Sequence, residues 1–183
     1  MQKTDLSTYN NAPYHPGGHV LKRFFWYYLN ALFLKTSLLP SNSFKSFLLR
    51  SFGAVVGKNV VIKPGVNIKY PWHLTIGDNT WIGENVWIDC LVAVSIGSNV
   101  CISQGAFLLT GNHNYKKTSF DLIVSGIVLE DGVWIGAGAM VGPGVTAASH
   151  AVLTACSVAN HSLDAYSIYQ GNPAVKIRDR VIA

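Results

Sequence analysis

His113 stands in "LLTGNHNY", residues 108 to 115, where an apolar pair runs into a polar loop. Imidazole ionises at about pH 6.5. A histidine within reach of a hydroxyl can therefore take its proton at neutral pH and hand it to a leaving group. The other histidines are worse candidates for chemistry. His15 and His19 bracket "PGG", which cannot present them on one helix face as a metal pair. His150 and His161 fall in the last stretch of the chain and are expected at its surface. Cys90, Cys101 and Cys156 are widely spaced with no CxxC, and read as small buried thiols of a reducing compartment. By itself, a loop histidine is more often a bystander than a catalyst, so the case for His113 rests on what positions it.

What positions it is a repeat. From Val56 the dominant period is six: Val56, Ile62, Ile68; Ile76, Ile82, Ile88; Ile96, Ile102, Leu108; then, after a gap, Leu129, Ile135, Val141, Ala147, Leu153 and Ala159. Glycine often follows the leading residue, and a small or branched residue such as Val60, Val86, Ala106 or Val145 often stands four positions after it. This period fits neither a helix nor a long strand, and marks a chain that turns a corner every six residues. Each hexapeptide supplies a short strand with its leading aliphatic turned inward, and glycine or asparagine supplies the bend. Three such faces close one coil of an all-β solenoid, and coils stack at about 4.8 Å. Fifteen leading positions predict about five coils, a prism roughly 24 Å tall by that spacing.

The rhythm breaks three times. "KYPWHLT" after Ile68 and "VS" at 94 and 95 each delay the next leading residue by two positions. The third gap, Leu108 to Leu129, is much longer. A solenoid keeps its core by looping insertions outward, so residues 109–127 are expected to project from one edge. His113 lies in this projection with Asn112, Asn114, Tyr115, Lys116, Lys117 and Asp121. Functional residues concentrate where a regular scaffold abandons its pattern, which lifts His113 above a bystander.

One structural domain is expected, in three segments: an N-terminal arm and helices over 1–53, repeats over 54–165 and a C-terminal segment over 166–183. Residues 1–19 read as an irregular arm, and 20–53 as two helices broken at Pro40. In the second helix Phe44, Phe47, Leu48 and Phe52 share a face; Ser41 or Ser43 can cap its start and Gly53 can end it. Charged residues make up 13% of the chain and hydrophobic ones 49%, which excludes a disordered chain. A formal charge of +5 suits an anionic ligand or a membrane surface and is too slight to argue for nucleic acid. The aromatic stretch over residues 24–39 is interrupted by Asn30, Lys35, Thr36 and Ser37, short of the roughly 20 apolar residues that span a bilayer. With no signal-peptide pattern at the N-terminus, the expectation is a cytoplasmic protein. Lys22, Arg23 and Lys35 flank the stretch, which is expected to pack over the end of the prism or against a neighbouring subunit; weak contact with a membrane surface is the competing expectation.

The hexapeptides and "TGNH" at 110 to 113 resemble the hexapeptide-repeat acyltransferases of the galactoside, maltose and xenobiotic type. "VVIKPGVNIKYPWHLTIGDNTWIGENVWID", "SIGSNVCISQGAFLLTGNHNY" and "GVWIGAGAMVGPGV" are similar to colanic-acid and exopolysaccharide O-acetyltransferases, and the likeness covers nearly the whole chain. The resemblance implies a left-handed parallel β-helix, against the general rule for parallel crossovers, with active sites between the subunits of a homotrimer. It implies acetyl-CoA as co-substrate, no metal, a saccharide or lipid-linked saccharide acceptor, and direct transfer with His113 as general base. Trp134 and the backbone at Ala137 and Ala155 match positions that line the coenzyme A groove of relatives, as does the "GNPA" turn of Gly171, Asn172, Pro173 and Ala174. Lys176, Arg178 and Arg180 follow, either facing the coenzyme A phosphates or forming a solvated basic tail.

Asn85 and Asp89, with Asn112 and Tyr115 of the loop, are candidates for binding acceptor hydroxyls; for Asn85 and Asp89 the bland reading is exposed turn polarity. Trp81, Trp87 and Trp134 each precede a leading aliphatic, and are expected on flat faces or between subunits rather than stacked on sugars. The chain departs from the family pattern at Asn114, where relatives often carry aspartate, at Ala147 and Ala148, and at Asn160 and His161. Two other readings stand beside the transferase. A zinc carbonic anhydrase on the same prism needs three converging histidines, and the loop shows no such set; a non-catalytic scaffold needs no chemistry at all. Spacing does not separate O- from N-acetylation.

Overall fold

In a computed structural model, which describes residues 3–183, strands of two or three residues follow one another around three faces. The first coil is β1 (Val55–Val56), β2 (Val61–Ile62) and β3 (Asn67–Ile68), and the second β4 (Leu74–Ile76), β5 (Trp81–Ile82) and β6 (Trp87–Ile88). The third is β7 (Val94–Ile96), β8 (Cys101–Ile102) and β9 (Phe107–Leu108). Outside the prism, β10 (Gly111–His113) and β11 (Leu122–Val124) pair as an antiparallel hairpin. The fourth coil is β12 (Ile127–Leu129), β13 (Trp134–Ile135) and β14 (Met140–Val141), and the fifth β15 (Thr146–Ala147), β16 (Val152–Leu153) and β17 (Val158–Ala159). A partial sixth coil comprises a bridge at Leu163 and β18 (Ser167–Gly171), against which β19 (Ala174–Asp179) folds back antiparallel. The expected five coils are therefore nearer six. Leu163 follows Ala159 by four residues rather than six, so a count of six-spaced positions misses the last turn.

Three sheets result: β1-β4-β7-β12-β15, β2-β5-β8-β13-β16-β18 with β19 at its edge, and β3-β6-β9-β14-β17. Within the second sheet Ile62, Ile82, Ile102, Ile135 and Leu153 are register partners from coil to coil. The leading aliphatics thus stack in columns inside the prism, and every one of the predicted leading residues is buried. Burying each Ile or Leu contributes about 1.5–3 kcal/mol. At the first corner Asn59, Asn79 and Asn99 take φ of 55°, 55° and 57°, a left-handed bend that asparagine tolerates. Close stacking also restricts side chains: a Cβ on Gly136 would lie 2.5 Å from Ala155 N in the coil above.

The first coil has no coil beneath it, and its open strand edges need partners. The helices supply them. α1 (Val20–Leu29) continues through a π-helical turn to Leu34, and α2 (Asn42–Ser51) follows a linker that contains Pro40, with Ser41 Oγ accepting from Phe44 N as its cap. Arg50 donates from Nε and Nη2 to Val56 O at 3.0 and 2.8 Å, Lys45 Nζ to Ile62 O at 3.0 Å, and Trp26 Nε1 to Ile68 O at 2.8 Å. Asn42 Oδ1 accepts from Ile62 N at 3.0 Å and Asn30 Oδ1 from Ile68 N at 3.3 Å. One face of the helical layer is thereby spent on the prism. Trp26, Asn30 and Leu34 are buried, while Phe24, Phe25, Tyr27, Tyr28 and Leu32 are exposed.

Replacing Trp26 by phenylalanine keeps an aromatic ring but leaves the buried Ile68 carbonyl without its donor. Urea unfolding is expected to show a loss of about 1–3 kcal/mol. The exposed Tyr27→Phe on the same helix should stay within about 0.5 kcal/mol of the parent protein.

Candidate active site

All three interruptions of the repeat fall at one corner, between the third sheet and the first. Stacked there, coil above coil, are the segments after β3, after β6 and after β9. Lys69 Nζ lies 3.7 Å from Asp89 Oδ1, and Leu91 N donates to Thr110 Oγ1 at 3.0 Å. The hairpin rises from this stack, with Gly111 opposite Val124 and His113 opposite Leu122. The projection is therefore an ordered ribbon, and it ends before Ile127, which is already buried in β12.

His113 closes β10. Its ring stacks on Phe120 at 4.5 Å between centroids and 6° between planes, and its Nδ1 is 2.9 Å from Phe120 O. A carbonyl oxygen can only accept, so Nδ1 carries the proton and Nε2 holds the free lone pair. Phe120 has φ 52°, a left-handed conformation rare for a bulky residue, and it belongs to the turn that aims this carbonyl. The Tyr9 ring, 6.1 Å away and tilted by 52°, covers another side of the imidazole.

The N-terminal arm that carries Tyr9 is pinned along the corner. Asp5 N donates to Thr118 O at 2.9 Å, Asn10 N to Asp121 Oδ1 at 3.1 Å and the Tyr14 hydroxyl to Leu91 O at 3.1 Å. The Asn10 N–H, followed by the Ser119 hydroxyl, holds the Asp121 carboxyl below its ordinary pKa. Tyr9, Tyr14, Phe120 and Asp121 had no assigned role in the sequence. The arm has no periodicity to mark it, and only its aromatic residues among turn formers hint at packing.

Asp89 corrects the bland expectation for it: the residue is 8% exposed rather than a solvated turn. Burial pushes its carboxyl above the usual range, against the opposing effects of Lys69, the Thr110 hydroxyl and the Gly111 N–H. A Cβ on Gly111 would sit 2.6 Å from Leu91 Cδ1 and 3.4 Å from Asp89 Oδ2, so the glycine lets the hairpin root lie against this pair. Gly111 and His113 share a strand face, which puts the Asp89 carboxyl and the imidazole on the same side of the ribbon. Asn112 points the other way and lines a separate cavity of about 310 Å³ with Pro143 and Asn160. Tyr115 is exposed beyond the strand end.

The remaining candidates gather elsewhere. At the corner between the second and third sheets, Cys156 N donates to Ala137 O at 2.8 Å and Gly171 N to Ser157 Oγ at 3.0 Å. Ala137, Ala155 and the Gly171–Asn172–Pro173–Ala174 turn therefore form one edge of small groups. Of the three cysteines expected to be buried only Cys90 is; Cys101 is partly exposed, and Cys156, at the outside of this bend, is exposed. One coil lower that edge is open, since a Cβ on Gly105 would meet nothing within 4 Å. Trp134 stands beside it, half-exposed, its Nε1 donating to Ser103 Oγ at 2.9 Å. Asn85 lies lower on this same edge, at the opposite end of the third sheet from the hairpin. Lys176 is paired with Asp179 at 2.8 Å, and Arg178 is exposed on β19. Arg180 departs from the expected basic group: its Nη1 donates to Gly132 O and His150 O at 2.9 and 3.0 Å, at the first corner. His150 is half-buried and stacked on Tyr166 at 4.7 Å, not loose at the surface. Among the described residues no group of three His, Cys, Asp or Glu side chains could hold a metal ion, and no helix is long and apolar enough to cross a membrane.

A parallel solenoid with one ordered hairpin presenting a histidine defines a class, and comparison with known proteins agrees with it. No family model matches the chain. It is 39% identical over 177 residues, 97% of each chain, to the "Putative colanic acid biosynthesis acetyltransferase WcaF" of Escherichia coli. A hexapeptide-repeat acetyltransferase of Vibrio cholerae, solved with acetyl-CoA, superposes with a TM-score of 0.79 at 25% identity, covering 88% of each chain. A galactoside acetyltransferase in complex with coenzyme A does so with a TM-score of 0.77 at 26% identity, over 87% of this chain and 80% of its own. The chain belongs to the hexapeptide-repeat acetyltransferases and shares their left-handed parallel β-helix.

The raised Asp89 carboxyl gives a test of the site's electrostatics. Folding favours its protonated form, so this contribution to stability is complete below the unfolded pKa and is lost as pH rises through the folded one. Asp89→Asn removes that loss. The stability of the variant relative to the parent is expected to improve from about pH 4 to about pH 7 in urea melts, and a flat difference would contradict the assignment.

Proposed function

We propose that the chain is an acetyl-CoA-dependent O-acetyltransferase acting on a saccharide in exopolysaccharide biosynthesis of the colanic-acid kind, with His113 as general base. The observation that carries this reading is the Nδ1 contact to Phe120 O, because it leaves Nε2 as a lone pair on a positioned imidazole. Nε2 removes the proton of an acceptor hydroxyl as its oxygen attacks the thioester carbonyl. The C–S bond breaks, the imidazolium returns the proton to the departing sulfur, and the products are the acetylated sugar and free coenzyme A. Asp89, on the same side of the hairpin, is placed to accept hydrogen bonds from acceptor hydroxyls.

The open edge at Gly105, Ala137, Ala155 and the Gly171–Ala174 turn suits the narrow pantetheine arm, because small side chains let it approach the backbone. Arg178 on the adjoining β19, with Lys176 where it leaves Asp179, supplies positive charge for its phosphates. This edge and the hairpin flank the third sheet at opposite corners of one chain. We therefore place the transfer between protomers of a homotrimer, one giving the imidazole and its neighbour the small-residue edge. The colanic-acid assignment of a relative matched over 97% of its length supports the pathway.

Release of free thiol from acetyl-CoA, read against a panel of sugars and sugar nucleotides, should fall about 10²–10⁴-fold in His113→Ala while acetyl-CoA still binds. A scaffold would release no thiol and would be indifferent to the change. Mixing inactive His113→Ala protomers with Ala155→Trp protomers, whose cofactor edge is blocked, should restore activity by assembling intact sites between subunits. No recovery after subunit exchange would place the transfer within one chain.

A further inference from the structure

A cavity of about 340 Å³ lies between α1 and the outer face of the third sheet, away from the small-residue edge. Arg23, Lys35 and Lys69 bring three positive charges to it, Tyr27, Tyr70 and Trp87 bring aromatic surface, and no carboxylate lines it. Among the described residues Arg23 and Lys35 make no salt bridge, and Lys69 makes only the 3.7 Å contact with Asp89 while lying 5.7 Å from the Tyr70 ring centroid. Polar depth comes from Asn30, whose Nδ2 donates to Asn67 Oδ1 at 2.7 Å. Three cations converging on an aromatic wall, only Lys69 of them in an ion pair among the described residues, are suited to a multiply charged anion joined to a planar or sugar-like body.

The cavity leads towards the hairpin. Lys69 bridges it to Asp89, which lies against Gly111 at the root of β10. Tyr14, whose hydroxyl donates to Leu91 O at 3.1 Å, lies near the same groups: burial raises its phenol, Tyr70 and Asp89 add to the rise, and Arg23 opposes it. From β3 beside the cavity to β9 beneath the hairpin is two strand spacings, about 10 Å. Exposed Phe24, Phe25 and Tyr28 continue an apolar surface outward along α1.

We propose that this cavity binds the diphosphate of a glycosyl diphosphate acceptor, so that the attached saccharide extends past Asp89 to His113. The inference rests on the saccharide-acetyltransferase reading for the direction in which the sugar points, but not for the anion site. Arg23 and Lys35 neutralise the phosphoryl oxygens, Lys69 divides its charge between them and Asp89, and the aromatic residues cover the first sugar. The same chemistry is offered by a soluble nucleoside-diphosphate sugar and by a polyprenyl-diphosphate sugar, for which the apolar strip on α1 would receive the chain.

The test has a binding arm and a kinetic arm. Titrating inorganic pyrophosphate into the full-length protein should quench tryptophan fluorescence from Trp87 and Trp26, with an affinity that falls as salt rises. Lys35→Gln, at an exposed helix end, and Arg23→Gln should each weaken it roughly tenfold. This arm needs no acetyl transfer, so it stands even if the acetyltransferase reading fails. In the kinetic arm, kcat/KM is measured for a nucleoside-diphosphate sugar, for a short-chain polyprenyl-diphosphate sugar in detergent, and for the neutral sugar. The ratio of either diphosphate substrate to the neutral sugar should drop at least tenfold in the double variant, and whichever substrate shows the drop identifies the source. Pyrophosphate binding that is absent or unchanged in both variants overturns the proposal, as does a ratio that does not move.

Discussion

Every backbone group in this prism looks for its partner one coil up or one coil down, and that single requirement organises the molecule. Strands of two or three residues are too short to hold together alone; they persist because Ile62, Ile82, Ile102, Ile135 and Leu153 stack in register while the amides beside them pair along the prism axis. A ladder of this kind fixes the chain everywhere except at its two ends and at its corners. The lower end is closed by side chains rather than by another strand. Arg50, Lys45 and Trp26 each donate to the first carbonyl edge of a different sheet. A solenoid that exposed those edges would offer a template for a further strand.

Corners are where insertion is cheapest, and this chain makes all three of its insertions at the same one. Stacking them has a chemical consequence. Lys69, Asp89 and Thr110 come from successive coils yet meet, since residues at one corner lie only a strand spacing apart. The longest insertion then forms its own ladder as β10 and β11, so the imidazole is carried by paired backbone rather than by a loose loop. Its tautomer follows from a neighbour on the same turn, Phe120, whose carbonyl leaves Nδ1 no role but donor.

The coils were legible in the sequence because their signal is repetitive, with each leading aliphatic confirming the register of the last. The helical layer was legible in outline from the shared face of Phe44, Leu48 and Phe52; Phe47, assigned to that face by its spacing, is instead exposed, and the first helix stops at Leu34, before Pro40. His113 stood out only as a break in rhythm. What was not legible were pairings between residues far apart in the chain with no pattern of their own: Asp121 with the Asn10 amide, Tyr14 with Leu91, Tyr9 beside His113. Asp89 was misjudged for the same reason. A polar residue in a turn is solvated unless something covers it, and the cover here, Thr110 and Gly111 above with Lys69 below, comes from neighbouring coils whose corner segments differ in length.

The N-terminal segment now has three structural tasks that share residues. It closes the lower edge of the prism through Trp26 and Asn30, forms one wall of the basic cavity with the same two residues, and holds the hairpin through Asp5 and Asn10. A segment used only as an end cap would need neither the run along the corner nor cations facing the third sheet. The run matters because the hairpin root at Gly111 lies against Leu91 and Asp89, whereas the imidazole must stay aligned two residues further out, where the arm supplies Tyr9. On the proposed reading, the elements that stabilise the prism also fix the acceptor side of the site relative to the base. On the same reading the donor side, at the corner of Ala137 and Ala155, is built by the coils and the Gly171–Ala174 turn that follows them. Acceptor preference can then change through substitutions in the arm and α1 without disturbing the repeat that presents the thioester.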